Sequence, residues 1–282
     1  MPIFDPVAGR MVVRVVYDGL AFAGKTTNLR QLSALFAGHK DPEVISPAES
    51  NGRTVYFDLL RIHAGSVCGF PLTCQVTSVP GQVVLTPRRR HLLAAADVVV
   101  YVCESHEAAV TAAAAGLGLY DEVVATRREP LALVVQANKQ DCFGALDGKR
   151  LLRALGREGV PVVEGIATEG VGVVVTFVTA VRTVVRSLGE RSEREGLRVA
   201  VRRAETADEL LARVASEAID PAWAAEMLLE EAEAALASRR DDLAVPTEIA
   251  ARDASVVVEE LAAIERVPRS DDEPACAVSA SS

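Results

Sequence analysis

Residues 19–26 read Gly19-Leu20-Ala21-Phe22-Ala23-Gly24-Lys25-Thr26. It matches the pattern GxxxxGK[ST] between a valine-rich strand candidate at 12–17 and a helix candidate at 25–38. Glycines in such a loop let backbone N–H groups surround phosphates at the positive end of a helix. The alternative is a glycine turn beside a solvated lysine. The predicted nucleotide contacts here are Gly19, Ala23, Gly24, Lys25, Thr26 and Thr27.

Two side chains of this phosphate loop (residues 19–26) carry specific chemistry. We expect Lys25 to neutralise charge on the β- and γ-phosphates of a nucleotide. We expect the Thr26 hydroxyl to bind Mg²⁺.

A second motif, Asn138-Lys139-Gln140-Asp141, follows a buried-strand candidate at 131–137. The Asp141 carboxylate can accept two hydrogen bonds from guanine, which adenine does not offer, so an adenine ligand would leave the carboxylate unpaired. The stem of Lys139 can cover the base plane, and Asn138 can tie this segment to the phosphate loop. The pair of motifs therefore predicts a guanine nucleotide, against the alternative of a solvated polar turn.

Hydrophobic periodicity predicts an α/β fold. Continuous β-branched runs are typical of strands covered on both faces in a parallel sheet, and helical stretches separate most of them. One pair of strands is joined by a short hairpin-type connection at 64–71, which predicts one antiparallel strand. The predicted strands are 12–17, 54–62, 72–79, 98–103, 131–137 and 160–163, and the predicted helices are 25–38, 106–118, 147–158 and 173–188.

Composition excludes several classes of protein. The chain has 282 residues, 50% of them hydrophobic, and a net charge of −9, which argues against a nucleic-acid-binding protein because phosphate neutralisation needs a basic surface. The five cysteines form no CxxC pair, so we expect neither a zinc site nor a disulfide framework. No signal peptide is evident, and the apolar run at 171–181 is too short to span a membrane. We therefore expect a cytoplasmic location and no transmembrane segment.

Charge divides the chain into two parts. Residues 1–188 hold 19 basic and 17 acidic side chains, whereas 189–282 hold 11 basic and 22 acidic ones. Helix-start signals recur in the second part, at Thr206, Asp220 and Thr247. We predict a nucleotide-binding domain at 1–188, an acidic helical extension at 189–267 and a disordered tail at 268–282. The extension can serve as a partner module, an autoinhibitory flap or a localisation tag.

A third motif, Ser78-Val79-Pro80-Gly81-Gln82, follows the strand candidate at 72–79. In GTPases a glycine here gives its N–H to the γ-phosphate, and the next residue orients the attacking water. Gly81 and Gln82 fit these roles, although a plain Pro-Gly turn is the alternative. Ser78 stands where an aspartate usually holds Mg²⁺ through water, so Mg²⁺ retention is expected to be weaker.

These motifs resemble those of the MglA-like bacterial members of the Ras-like GTPases, which set cell polarity and motility. The resemblance runs from about Val12 to Leu188, and a non-acidic residue at position 78 is typical of this family. It implies a P-loop NTPase fold: a Ras-like G domain with a mostly parallel central sheet and one antiparallel strand, here followed by a C-terminal α-helical extension. The resemblance rests on Gly24-Lys25-Thr26-Thr27-Asn28-Leu29, Thr54-Val55-Tyr56-Phe57-Asp58, Val79-Pro80-Gly81-Gln82, Asn138-Lys139-Gln140-Asp141 and Glu164-Gly165-Ile166-Ala167.

The resemblance also implies roles for single residues. Thr54 corresponds to the threonine that binds Mg²⁺ and the γ-phosphate, so Thr26 and Thr54 are the implied metal ligands. Arg53 corresponds to an arginine finger supplied in cis, with a surface arginine as the alternative. Asp58 is a water-orienting group near the metal or a solvent-facing strand residue. A backbone N–H near Ala167 is expected to contact guanine O6.

Two further features concern regulation. The family members work with a roadblock-fold homodimer that activates GTP hydrolysis and with polarity effectors, which implies such partners and recruitment to a cell pole. Ala21 and Phe22 replace smaller loop residues, and Phe22 is expected to narrow the site or slow hydrolysis. The run Pro87-Arg88-Arg89-Arg90-His91 is a docking patch for an acidic partner or lipid headgroups or, as we expect, a solvated helix face.

The sequence thus predicts a GTP-binding switch that hydrolyses GTP slowly and signals in its GTP-bound form. The main alternative is a scaffold that keeps GTP or GDP without useful turnover, with the C-terminal helices binding partners. A third hypothesis is a P-loop enzyme that uses ATP. Asp141 argues against it, because adenine would leave its carboxylate unpaired.

Overall fold

The computed structural model describes residues 2–36, 58–67, 69–79, 86–195, 200–201 and 209. The strands are β1 (Ile3–Asp5), β2 (Arg10–Asp18), β3 (Asp58–Val67), β4 (Phe70–Ser78), β5 (Val98–Glu104), β6 (Ala132–Asn138), β7 (Val162–Glu164) and β8 (Ala200–Val201). The α-helices are α1 (Lys25–Leu35), α2 (Thr86–Ala95), α3 (Glu107–Thr126), α4 (Gly148–Ala154) and α5 (Val173–Glu195), and a 3-10 turn spans Ala167–Glu169.

The strands form one mixed sheet with the order β3-β4-β2-β5-β6-β7. Strands β4, β2, β5, β6 and β7 run parallel, and β3 is antiparallel to β4 with a register shift between His63 and Ser66. The predicted α/β fold with a mostly parallel sheet and an antiparallel strand is therefore confirmed. The structure adds β1, which pairs antiparallel with β2 and parallel with β8.

Two hydrophobic cores cover the two faces of the sheet. In β2 the side chains alternate, so that Val13, Val15 and Tyr17 lie in the core with α1 and α5. Val16 lies in the opposite core, with α2, α3 and α4. Burial on both faces explains why the central strands are continuous valine runs rather than alternating sequences.

Helix ends differ from the predicted ones for local reasons. Helix α3 continues to Thr126, beyond the predicted end at 118, because Tyr120 and Val123 extend its buried face. Helix α4 ends at Ala154 instead of 158, and Gly156 follows with a φ of 64°, a left-handed conformation that stops a helix.

By length and composition alone, α3 is the one described helix that could cross a membrane. Its buried face packs on the sheet, as is typical of a core helix. The side chains buried there are Val110, Ala113, Leu117, Leu119, Tyr120 and Val123.

The C-terminal boundary region continues the first domain. Helix α5 runs seven residues past the predicted boundary at 188, to Glu195, and β8 adds to the sheet beside β1. The helices predicted after Thr206, apart from Glu209, and the predicted tail lie outside the described residues, as does the beginning of the strand predicted at 54–62. Helix α1 ends at Leu35, before the predicted end at 38.

Candidate functional site

The phosphate loop leaves the sheet at the carboxyl end of β2 and leads into α1. Gly19 has a φ of 139° and lies against the backbone carbonyl of Val102, where a Cβ would overlap that oxygen. Gly24 has a φ of 106° and caps the start of α1. A Cβ on Gly24 would overlap the Asn138 side-chain amide. Both glycines are therefore required by close approach as well as by backbone conformation.

Lys25 lies across this loop and is only 7% exposed. Its Nζ donates to the carbonyl oxygens of Gly19, at 2.9 Å, and Leu20, at 2.5 Å. The ammonium is thus held inside the loop, next to the first turn of α1. The N–H groups of a first helical turn lie at the positive end of the helix, so the Lys25 ammonium adds its charge to that of the helix terminus.

The hydroxyl residues Thr26 and Thr27 occupy the first turn of α1 and are half-buried. Beside them Phe22 is 59% exposed and has a φ of 60°, a conformation that costs a non-glycine residue energy. The phosphate loop therefore contains a left-handed phenylalanine whose ring faces largely toward solvent.

Asn138 ends β6 and joins the second motif to the phosphate loop. Its Nδ2 donates to the Ala23 carbonyl at 2.8 Å, and its Oδ1 accepts from the Ala167 N–H at 2.9 Å. The Asn138 side chain is 2% exposed, so both bonds are shielded from water. One buried amide thus connects three loops that follow three different strands.

The next residues of this motif face outward. Lys139 has a φ of 63°, and its Nζ donates to the Glu104 carboxylate at 2.7 Å. Gln140 bonds the Ser105 hydroxyl and the Leu146 carbonyl, which fixes the turn. Asp141 is exposed at the rim, where its carboxylate is accessible to a ligand.

Ala167 is buried, and its N–H is already used by Asn138. The structure therefore brings together Gly19, Ala23, Gly24, Lys25, Thr26, Thr27, Asn138, Lys139, Asp141 and Ala167 along the carboxyl edge of the sheet. The other sequence-predicted site residues, Arg53, Thr54, Gly81 and Gln82, lie outside the described residues.

The strand before the third motif is described as far as Val79. Ser78 is buried at the end of β4, opposite Tyr17 of β2, and the Val79 N–H donates to the Tyr17 carbonyl at 2.9 Å. This pairing brings the chain to the same edge of the sheet as the phosphate loop.

Sequence reasoning missed a buried amide network beneath the site. Asn28 of α1 and Gln136 of β6 exchange two side-chain hydrogen bonds, at 2.7 and 2.9 Å, and Gln136 also donates to the Thr176 hydroxyl at 3.1 Å. All three side chains are fully buried. The available signal was a lone glutamine within the apolar strand at 131–137.

The expectation of a solvated arginine face is wrong for Arg89. Its side chain is buried and forms a two-pronged ion pair with Asp18, with N–O distances of 2.6 and 2.9 Å. Burial by itself lowers the pKa of Arg89, but the hydrogen bonds and charge of Asp18 outweigh burial and raise it. Its neighbour Arg90 does face solvent and pairs with Glu122 of α3 at 2.6 Å.

The groups that could hold a nucleotide fit its chemistry. The backbone at Gly19 and Gly24 leaves no room for a side chain, and Lys25 supplies a cation beside the first-turn N–H groups of α1. Within the described ranges no three His, Cys, Asp or Glu side chains cluster as a metal site. The Thr26 hydroxyl, half-buried in the first turn of α1, is a side chain at this edge that could hold a metal.

Comparison with known proteins gives one informative match. The chain is 29% identical over 180 residues to the mutual gliding-motility protein MglA of Myxococcus xanthus (strain DK1622), covering 62% of this chain and 91% of that protein. No protein-family model matches the chain. This match confirms the resemblance that the motifs predict: the chain is similar to an MglA-like small GTPase, and its extra length fits a C-terminal extension.

Proposed function

We propose that the chain is a molecular switch that binds GTP with Mg²⁺, hydrolyses it slowly and signals to partners while GTP is bound. The observation that carries this proposal is the Asn138 side chain, which bonds the phosphate loop at Ala23 and the following loop at Ala167. This link holds an anion cradle and the exposed carboxylate of Asp141 in one rigid unit. Such a unit suits a ligand with phosphates at one end and a purine at the other.

The phosphate end would be bound by the loop and the start of α1. Lys25 would keep its bonds to the loop carbonyls while its charge offsets that of the β- and γ-phosphates. Backbone N–H groups at Gly24, Lys25, Thr26 and Thr27 would donate to the phosphate oxygens.

The base end would be selected by Asp141, whose carboxylate can accept from guanine N1–H and N2–H₂. Lys139 is held by Glu104, so its stem is positioned to cover one face of the base. The Ala167 N–H orients Asn138 in this structure, so we assign Ala167 a positioning role in addition to the predicted contact with guanine O6.

Hydrolysis would use Gly81 and Gln82 of the third motif together with Arg53. Gln82 would orient the attacking water, the Gly81 N–H would contact the γ-phosphate, and Arg53 would stabilise the charge that develops on the phosphoryl group. An arginine in this role is worth about 10³–10⁵ in rate. Thr26 and Thr54 would hold Mg²⁺, which would neutralise phosphate charge when bound.

The cellular role follows from the relative. Because that protein is named for gliding motility, we propose that this chain acts in motility or cell polarity. We further propose a cytoplasmic protein recruited to a cell pole, activated by a roadblock-fold homodimer and read by polarity effectors.

A nucleotide-holding scaffold is the second candidate function, and Phe22 is the observation that favours it. Phe22 has a left-handed conformation and places a largely exposed ring on the loop that would surround the phosphates, where it would narrow the site or slow hydrolysis. In this case GTP or GDP would stabilise the domain, and the C-terminal residues would bind partners.

Single-turnover GTP hydrolysis by the full chain distinguishes the two functions. The switch predicts measurable hydrolysis that falls at least about 10-fold in Gln82→Ala and in Arg53→Ala. The exposed arginine variant Arg128→Ala serves as the matched control and should hydrolyse GTP like the wild type. Equal, negligible rates in all four proteins, with GTP still bound, would favour the scaffold.

A further inference from the structure

We infer that Asp18 and Arg89 are positioning residues that set α2 against the phosphate loop, so that their loss slows GTP hydrolysis more than it weakens nucleotide binding. The inference rests on the proposed GTP hydrolysis. We assign each residue an action through the elements that it joins, and not a contact of its side chain with the nucleotide.

The location of the pair is the first argument. Asp18 is the last residue of β2 and directly precedes Gly19, whose backbone is fixed against Val102. Arg89 lies in the first turn of α2, seven residues after Gln82. The ion pair therefore connects the residue before the phosphate loop to α2, the helix that follows the third motif.

The geometry of the pair is the second argument. The guanidinium donates through Nε and Nη2 to the two Asp18 oxygens, and Nη2 also donates to the Gly116 carbonyl of α3 at 2.8 Å. Asp18 is fully buried and Arg89 nearly so. A two-pronged arginine contact fixes direction as well as distance, which a single lysine ammonium does not.

Gly116 makes this junction possible. A Cβ at Gly116 would lie 2.6 Å from the Tyr101 hydroxyl and 3.2 Å from Leu20 of the phosphate loop. Tyr101 in turn donates to the Ala113 carbonyl at 2.7 Å, and burial together with the charge of Asp18 raises its pKa. Strand β2, the phosphate loop, α2, α3 and β5 thus meet around one ion pair.

The energetics favour positioning over stabilisation. A buried ion pair loses about as much hydration energy as it gains in attraction, and well-packed apolar residues often replace such pairs without loss of stability. The pair then contributes conformational specificity instead of stability. Here it would fix the position of α2 relative to Gly19.

The test compares four proteins with the wild type by GDP affinity, melting temperature and single-turnover GTP hydrolysis. Asp18→Asn removes the negative charge at nearly constant side-chain shape. Arg89→Lys keeps the positive charge but cannot donate to both Asp18 oxygens in the two-pronged geometry. The double variant Asp18→Leu/Arg89→Met replaces the pair by apolar side chains of similar size. Arg90→Gln is the matched control, because it removes an exposed contact between α2 and α3, the two helices that Arg89 joins through the Gly116 carbonyl.

We expect hydrolysis to fall about 10- to 100-fold in Asp18→Asn and in the double variant, with GDP affinity within about threefold of wild type. Arg89→Lys should fall between these variants and the wild type, and Arg90→Gln should match the wild type. Melting temperature should recover in the double variant while hydrolysis does not, which separates positioning from folding.

Two contrary outcomes have different meanings. A double variant that hydrolyses GTP like the wild type overturns this inference and leaves the proposed function intact. A wild type that binds no guanine nucleotide contradicts the proposed function itself, and the inference with it. If Asp18→Asn does not fold, the double variant alone decides between these outcomes.

Discussion

The base half of the site (residues 138–141 and Ala167) and its phosphate half (residues 19–26) are held by different kinds of contact. In the base half, buried side chains bond backbone groups of neighbouring loops, as Asn138 bonds Ala23 and Ala167. In the phosphate half, left-handed backbone at Gly19, Phe22 and Gly24 shapes the loop, and Lys25 bonds its carbonyls.

The two halves should therefore control different properties of nucleotide binding. The base half is set by hydrogen bonds with defined directions, so changes there should alter the choice of base. The phosphate half is set by backbone shape and positive charge, which act on any nucleotide. The predictions below test this separation in order of expected effect.

The largest effect is expected from Asp141→Ala, which removes both carboxylate acceptors for guanine. Two charge-assisted hydrogen bonds at about 1.5–3 kcal/mol each correspond to a loss of about 10²–10⁴-fold in GDP affinity. Affinity for ADP should hardly change, because adenine does not use these acceptors. Calorimetric titration measures both, with the exposed acid variant Glu158→Ala as the matched control. Equal losses for GDP and ADP would contradict the separation of the two halves.

Lys25→Ala should come next, with GDP and ADP affinities falling by similar factors of about 10–100. The ammonium contributes to phosphate binding whatever the base, and its loss also frees the carbonyls of Gly19 and Leu20. Competition with a fluorescent nucleotide gives both affinities. Lys149→Ala, an exposed lysine of α4, is the matched control. A loss confined to GDP would show that the lysine reads the base as well.

The buried amide pair of Asn28 and Gln136 beneath the site should have a more modest effect, on stability. Gln136→Leu leaves the buried amide of Asn28 without its partner and should lower the free energy of unfolding by about 1–3 kcal/mol. Denaturant unfolding of Gln136→Leu, Asn28→Leu and the double variant gives the coupling energy. We expect it to exceed about 0.5 kcal/mol, and strictly additive losses would show that the amides do not act as a pair.

The smallest effect is expected from Phe22→Gly. Glycine relieves the left-handed strain at φ 60°, which is about 1–2 kcal/mol for a non-glycine residue, but it also raises the entropy of the unfolded chain. The net change in unfolding free energy should therefore be a gain below about 1 kcal/mol. Phe143→Gly, at a fully exposed phenylalanine two residues after the base half and without positive φ, should be neutral or destabilising. Destabilisation by Phe22→Gly would mean that the ring packs on the site.

Much of the fold and part of the site could be predicted because the signals are local. A glycine pattern between a buried strand and a helix predicts a loop such as 19–26 from neighbouring residues alone. The same holds for Asn138–Asp141 at a strand end, and the structure brings both segments to one edge of the sheet. Long valine runs likewise indicate buried strands whatever their partners.

Features that depend on distant residues could not be predicted. Arg89 is buried because Asp18, 71 residues earlier, supplies its counter-charge, and nothing near Arg89 in sequence indicates this. Gln136 lies within an apolar strand because Asn28, 108 residues away, satisfies its amide. Strand β1 is only three residues long and forms because β2 and β8 flank it.

Isothermal titration calorimetry of the full chain with GDP and with ADP, each with Mg²⁺, directly tests whether the chain selects guanine nucleotides. We expect one GDP site per chain and ADP binding at least about 100-fold weaker, because the Asp141 acceptors have no partner on adenine. Equal affinity for the two nucleotides, or no uptake of GDP, would contradict it.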